Sequence, residues 1–178
     1  ANIPVRVLNT HNPASPGTLI TREGTERARG PRSVARKRNV TVVHMTSNKM
    51  LGAHGFLAKL FHVFEELEIS VDLIATSEVS VSVTVDEQHD LDELKNRLTG
   101  VADVEVIDGQ CIIAIVGRNL LADALVGARV FEAMRGIAMQ MLSLGRSGLN
   151  LSIVVNDADS DNAIQRIHAA LFEQAVAV

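Results

Sequence analysis

From Asn39 onward, apolar and polar positions fall into two periods. "NVTVVHMTS" is rich in β-branched residues and reads as a strand. In "MLGAHGFLAKLFHVFEELEI", Phe56, Leu57, Leu60, Phe61, Phe64 and Leu67 recur every three or four residues, while Glu65, Glu66 and Glu68 fall mostly outside that stripe. This predicts an amphipathic helix. "VDLIAT" and "VSVSVTV" return to the strand period, split by Ser77-Glu78. "DELKNRL" is a short amphipathic helix and "DVEVID" a strand. The order β-α-β-β-α-β over roughly 70 residues is the ferredoxin-like split βαβ unit, an antiparallel four-stranded sheet with two helices on one face.

The pattern then restarts. "CIIAIVG" is a strand, and "LADALVGARVFEAMRG" a helix with Leu121, Leu125, Ala128, Phe131 and Met134 expected inward. "IAMQMLSLG" and "LNLSIVVN" are strands, and "SDNAIQRIHAALFEQ" is a helix facing inward with Ile164, Ile167 and Leu171. "VFEELEISVDLI" at 63–74 matches "VFEAMRGIAMQML" at 130–142 with one residue inserted, so the chain holds an internal repeat. The second copy lacks a clear fourth strand, which must come from an early segment within 1–46 or from the other copy. Residues 1–38 contain all four prolines and read as two short extended pieces, "IPVRVLN" and "GTLIT", joined by turns.

The expected division is therefore 1–38 as a preceding segment and linker, 39–109 as the first unit and 110–178 as the second. The fold class is α+β.

Composition narrows the function. The 178 residues are 47% apolar and 3% aromatic, with no Trp or Tyr, so any core is aliphatic. No apolar run approaches a membrane span and no leader is evident, so no membrane partner is expected. The single cysteine, Cys111, excludes an internal disulfide and fits a reducing, cytoplasmic compartment. The net charge of −4 hides an asymmetry, because the first 38 residues are basic and the remainder acidic. The run "RARGPRSVARKR" at 27–38 could be a nucleic-acid patch. No aromatic residue interleaves it to stack bases, so it reads instead as a solvated linker or partner-facing surface, and no nucleic acid is expected.

Catalytic motifs are missing. There is no phosphate loop, no G-x-G-x-x-G after a strand and no nucleophile elbow. The six histidines lack metal-ligand spacing, and neither a catalytic residue nor a metal ligand is assigned. A binding role fits better. Gly52 and Gly55 would let backbone N–H groups approach a ligand near a helix N-terminus, which favours a carboxylate. Asp72 and Glu78 would meet an ammonium. If the loop "NKMLGAHGF" and Asp72 approach each other, the site suits a free amino acid. The repeat supplies a contrast: Asp72 aligns with Gln140, and Thr76-Ser77-Glu78 with Leu144-Gly145-Arg146, so the first copy is the expected effector site.

"NKMLGAHGFLAKLF" followed by "ISVDLIATSEVSVSVTVD" closely resembles the regulatory region of aspartate kinase, and "IPVRVLNTHNPASPGTLIT" resembles the closing segment of that family's kinase domain. The resemblance runs from about residue 3 to 172. It implies two ACT domains, each βαββαβ, one inserted in the other, pairing edge to edge into a homodimer. It also implies a parent kinase that uses ATP and Mg²⁺ to phosphorylate the aspartate side chain. That catalytic domain, joined in cis or carried by a catalytic subunit, is not among these residues, so this chain alone should be inactive and need no cofactor. By position, the implied effector residues are Met50, Gly52, Ala53, Phe56, Leu57, Ser70, Val71, Asp72, Ser77 and Glu78. Backbone N–H groups around 52–57 would hold the effector carboxylate and Asp72 an ammonium.

Lysine is the first expectation, since two carboxylates could face its two ammonium groups, and threonine the second. An effector that bridges the interface would shift the kinase through a coupling of roughly 1–3 kcal/mol, with residues 22–38 as the hinge. The alternative is a dimerisation module with no effector of its own.

Overall fold

A computed structural model describes residues 3–21, 30–86 and 91–173. Strands β1 (Val5–Val7) and β2 (Thr18–Ile20) form a small antiparallel hairpin. The rest is one six-stranded antiparallel sheet with four helices. In chain order its elements are β3 (Gly30–Thr46), α1 (Phe56–Glu66), β4 (Ile74–Thr76), β5 (Ser80–Asp86), α2 (Asp92–Leu98), β6 (Asp103–Arg118), α3 (Ala124–Ala133), β7 (Met139–Leu144), β8 (Asn150–Asn156) and α4 (Asp157–His168). The strand order is β4-β5-β3-β6-β8-β7.

Two strands are far longer than the sequence pattern suggests. The second half of β3 pairs with β5 and with the first half of β6, which closes a four-stranded set with α1 and α2. The first half of β3 pairs Gly30 with Arg118 and Lys37 with Ile112, beside β8 and β7. Residues 30–37 thus form the outer strand of the second set of four. The boundary expected at residue 38 falls inside a strand, and so does the one expected at 109–110. The hinge expected over 22–38 is a strand from Gly30 onward, while 22–29 lie outside the described residues. Asn39 (φ 58) and Gly109 (φ 67) bend the two long strands, and the register shifts between Lys37 and Val40 and between Val40 and Val42. The extra residues at these bulges reset the alternation, so each half keeps its apolar positions toward its own helices.

The core follows from that alternation. Val43, Met45, Val81, Val83 and Val85 pack under Leu60, Phe64, Leu94 and Leu98. Cys111, Ile113, Ile115, Leu151, Ile153 and Val155 pack under Val126, Val130, Ala163 and Ile167. On the helix-free face, Val40, Val42, Ile112, Met141 and Val154 meet Leu73 and Ala75. The edge strands β4 and β7 touch, so the sheet curls and closes this face on itself.

Two helix expectations need correcting. Helix α1 begins at Phe56, and residues 51–55 form a loop that follows the 3-10 turn Asn48–Met50. In α3 the buried residues are Val126, Val130 and Ala133, followed by Met134, whereas Leu125 is 63% and Phe131 46% exposed. Ala128 is exposed as well, and the Leu121 side chain lies outside the described residues. By burial, Val130 takes the place of Phe64, one position earlier than the sequence match puts it. The segment joining helix to strand is therefore longer by one more residue, and the helix turns by about 100° relative to expectation. In α4, Ile167 is buried and Ile164 half-buried, as expected.

Candidate functional site

The loop after β3 lies at one end of the first four-stranded set. Ser47 starts it: its N–H donates to Val79 O (2.8 Å), and its hydroxyl donates to Val101 O (2.7 Å). The same oxygen accepts from Lys49 N, capping the 3-10 turn Asn48–Met50. Ala53 N then donates to Met50 O (3.1 Å). Gly52 and Gly55 have φ of 67 and 73, and a Cβ on either would meet nothing within 4 Å. Both glycines therefore adopt left-handed backbone, and no other described atom of the chain crowds them.

Gly55 is the N-cap of α1 and supplies no side-chain cap. The first N–H groups of α1, including those of Phe56 and Leu57, lack a capping side chain and face an exposed loop. Met50 and Phe56 are half-buried, whereas Gly52, Ala53 and Leu57 are exposed.

The turn 77–80 sits beside this loop. Ser77 N donates to Ser80 O (2.8 Å), Ser80 N donates to Ser77 Oγ (3.1 Å), and the two hydroxyls lie 2.7 Å apart. Glu78-Val79 is the two-residue hairpin turn between Ser77 and Ser80, with Glu78 exposed at its tip. Ser77 spends its hydroxyl on the turn, while Glu78 makes no hydrogen bond or ion pair among the described residues.

Asp72 lies at the other end. Its N–H donates to Thr84 O (2.9 Å), and Leu73 N donates to Thr84 Oγ1 (2.9 Å). Thr84 pairs with Val42, four positions before Thr46. Within one chain, Asp72 with exposed Ser70 and half-buried Val71 is separated from the 50–57 loop by about 13 Å of strand. The approach expected from sequence does not occur inside a single copy.

Asp72 also has a partner that spacing could not reveal. Lys37 Nζ sits 2.6 Å from Asp72 Oδ2 and 2.7 Å from Asp86 Oδ1. These contacts hold the Lys37 ammonium's pKa above its ordinary 10.5, with the Asp72 hydrogen bond the larger cause. On the opposite face of β3, Arg36 and Arg38 reach Asp161, and Arg38 also reaches Asp157 (3.5 Å). The two guanidiniums hold the Asp161 carboxyl below its ordinary value. Three residues of the basic run are thus matched by carboxylates of the segment before β4, of β5 and of α4. The signal in the sequence was alternation in "RKR", legible only once those residues are known to be a strand.

The second set offers a contrast. Its corresponding loop leads through a 3-10 turn (Leu120–Ala122) to α3, whose N-cap Asp123 accepts from Leu125 N (2.9 Å). There a resident carboxylate fills the helix N-terminus that Gly55 leaves open in the first set. Among the described residues no group of three or more His, Cys, Asp or Glu could hold a metal ion, and no helix is long and apolar enough to cross a membrane.

A profile of the ACT domain matches residues 43–92 and 113–171. Chloroplastic aspartokinase 3 of Arabidopsis thaliana is 42% identical over 97% of this chain, which spans 33% of that protein. The chain is thus about a third of the length of such relatives. Escherichia coli aspartokinase III, solved with lysine and aspartate in its T-state, superposes with a TM-score of 0.79 at 35% identity over 96% of this chain and 39% of that one. A solved chain from Porphyromonas gingivalis, assigned to an aspartate kinase C-terminal regulatory domain, is 37% identical with a TM-score of 0.68, over 79% of this chain and 96% of its own. With its sheet, its repeat and its open helix terminus, the chain belongs to the ACT-domain family and corresponds to the C-terminal regulatory region of aspartokinases.

Proposed function

We propose that this region senses a feedback amino acid, lysine first and threonine second, at an interface between two copies of the first ACT unit. The observation that carries the reading is the contrast between the two helix N-termini: α3 is closed by Asp123, and α1 is left open beside an exposed loop. An effector carboxylate is the natural occupant of such a terminus.

The edge strand β4 explains how Asp72 joins the site. Among the described residues its outer side hydrogen-bonds to no strand, although β7 approaches it. Antiparallel pairing of β4 with its copy across a two-fold axis sets the Asp72 end of one chain against the 50–57 end of the other. Two half-sites then form, each with N–H donors from one copy and a carboxylate from its partner. Met50, Gly52, Ala53, Phe56 and Leu57 would line one wall, Ser70, Val71 and Asp72 the other, with Ser77 and Glu78 at the rim. The E. coli relative's lysine complex supports this choice of effector. ATP, Mg²⁺ and phosphoryl transfer to aspartate would belong to the parent enzyme, outside these residues.

The second reading, a dimerisation module without an effector, is favoured by one fact: Asp72 already holds Lys37. Calorimetric titration with lysine and with threonine, alongside sedimentation, separates the two readings. Saturable heat with a shift toward dimer supports the sensor; a dimer that takes up neither amino acid supports the module.

A further inference from the structure

Among the described residues, the Lys37 ammonium is a cation that the fold brings into direct contact with the candidate site residue Asp72. Lys37 lies on the face of β3 opposite Arg36 and Arg38, whose guanidiniums are tied to Asp161 at the start of α4. That tie fixes the backbone on either side of Lys37, so its side chain is delivered to one place. There it bridges Asp72 Oδ2 and Asp86 Oδ1, and the other Asp72 oxygen accepts no hydrogen bond among the described residues. One ammonium between two carboxylates leaves a net single negative charge, which one further ammonium would neutralise. All three side chains are partly exposed, so the group is open to a solute cation.

We propose that Lys37 is a resident competitor in the effector site: it occupies one oxygen of Asp72, opposes the incoming ammonium of the amino acid, and limits how tightly that amino acid binds. This rests on the reading of Asp72 as the ammonium partner of the effector. A lysine suits the task better than an arginine. Its ammonium is a point charge on a flexible stem that yields or shares a carboxylate, whereas a guanidinium would grip Asp72 through two parallel bonds. The inference makes Lys37 a specificity-determining residue, because it sets the net charge that an effector meets. It also gives effector binding a direct handle on β3, the strand that continues into the second ACT unit.

The test is calorimetric titration of lysine and threonine into the whole chain and into Lys37→Met, Lys37→Arg and Asp72→Asn. Lys37→Met keeps the stem and removes the charge, and it should tighten binding about three- to tenfold at low salt. The gain should shrink as salt rises. Lys37→Arg keeps the charge and should bind no tighter than the parent. A merely structural lysine would give weaker binding in Lys37→Met, with no reversal by salt. Lys37→Gln is the second neutral variant should Lys37→Met fail to fold. Weaker or unchanged binding in both neutral variants, with binding lost in Asp72→Asn, overturns the role of Lys37 and leaves the site standing. Unchanged binding in Asp72→Asn overturns the site reading itself, and the inference with it.

Discussion

Asp72 and Gly55 divide the work of recognition at the residue scale. If the Asp72 carboxylate takes an effector ammonium, Asp72→Asn removes a charge-assisted hydrogen bond of roughly 1.5–3 kcal/mol. Effector affinity should fall about ten- to a hundredfold in calorimetry, while the melting temperature barely moves. Gly55 bears on stability too. With φ at 73, Gly55→Ala forces a Cβ into left-handed backbone and should cost about 1–2 kcal/mol in chemical denaturation, although the space around it is empty. The types of these residues were legible in the sequence, since a glycine before an apolar stripe marks a helix start. Their distance from each other was not, because nothing local says which end of a strand a connecting segment occupies.

The basic step of β3 works at the scale of the element. Arg36 and Arg38 hold α4, and Lys37 holds β5 and the segment leading into β4, so one short stretch fastens both halves of the sheet. The signs of the shifts fix the pH response. Asp161 has a depressed folded pKa, so its contribution is present above the ordinary carboxylate value of 3.8 and is lost as pH falls through the lower folded value. Lys37 has a raised pKa, so its contribution is full below 10.5 and lost as pH climbs past its folded value. Thermal stability attributable to this cluster should stay level from about pH 5 to 9, then decline on both sides. Charge-neutral Asp161→Asn should flatten the acid limb when melting is followed across pH.

Gly30-Pro31 and crowded charges make this stretch read as a solvated linker or partner-facing surface. Only partners distant in the chain turn it into a strand. The misjudged face of α3 has a similar origin: the repeat match tolerates a one-residue slip, but a helix face does not.

At the scale of the molecule, the side of β4 that hydrogen-bonds to no strand decides assembly. Ile74 is 47% exposed on that edge. Ile74→Lys places a charge where a copy would pair, a common block to edge-to-edge association. It should shift sedimentation toward monomer and weaken effector binding in parallel, and retained binding in a strict monomer would remove the shared-site geometry. The βαββαβ order was readable because each element carried its own period. The single curled sheet was not, since it depends on two bulges and on strands that continue through them.

The sharing of β3 between the two ACT units has a consequence for how the chain is made. Synthesis delivers residues 30–37 first, yet the strand segment they close against, 112–118, emerges only after the whole first unit. During that interval a nascent edge stands without its neighbour, and an unpaired edge invites pairing with another chain. Its Arg36-Lys37-Arg38 step makes it a poor template for such pairing, because like charges repel a second copy of the same segment. The cations that lock the finished sheet would thus act earlier as gatekeepers, keeping the waiting strand soluble until Asp157 and Asp161 arrive to neutralise it.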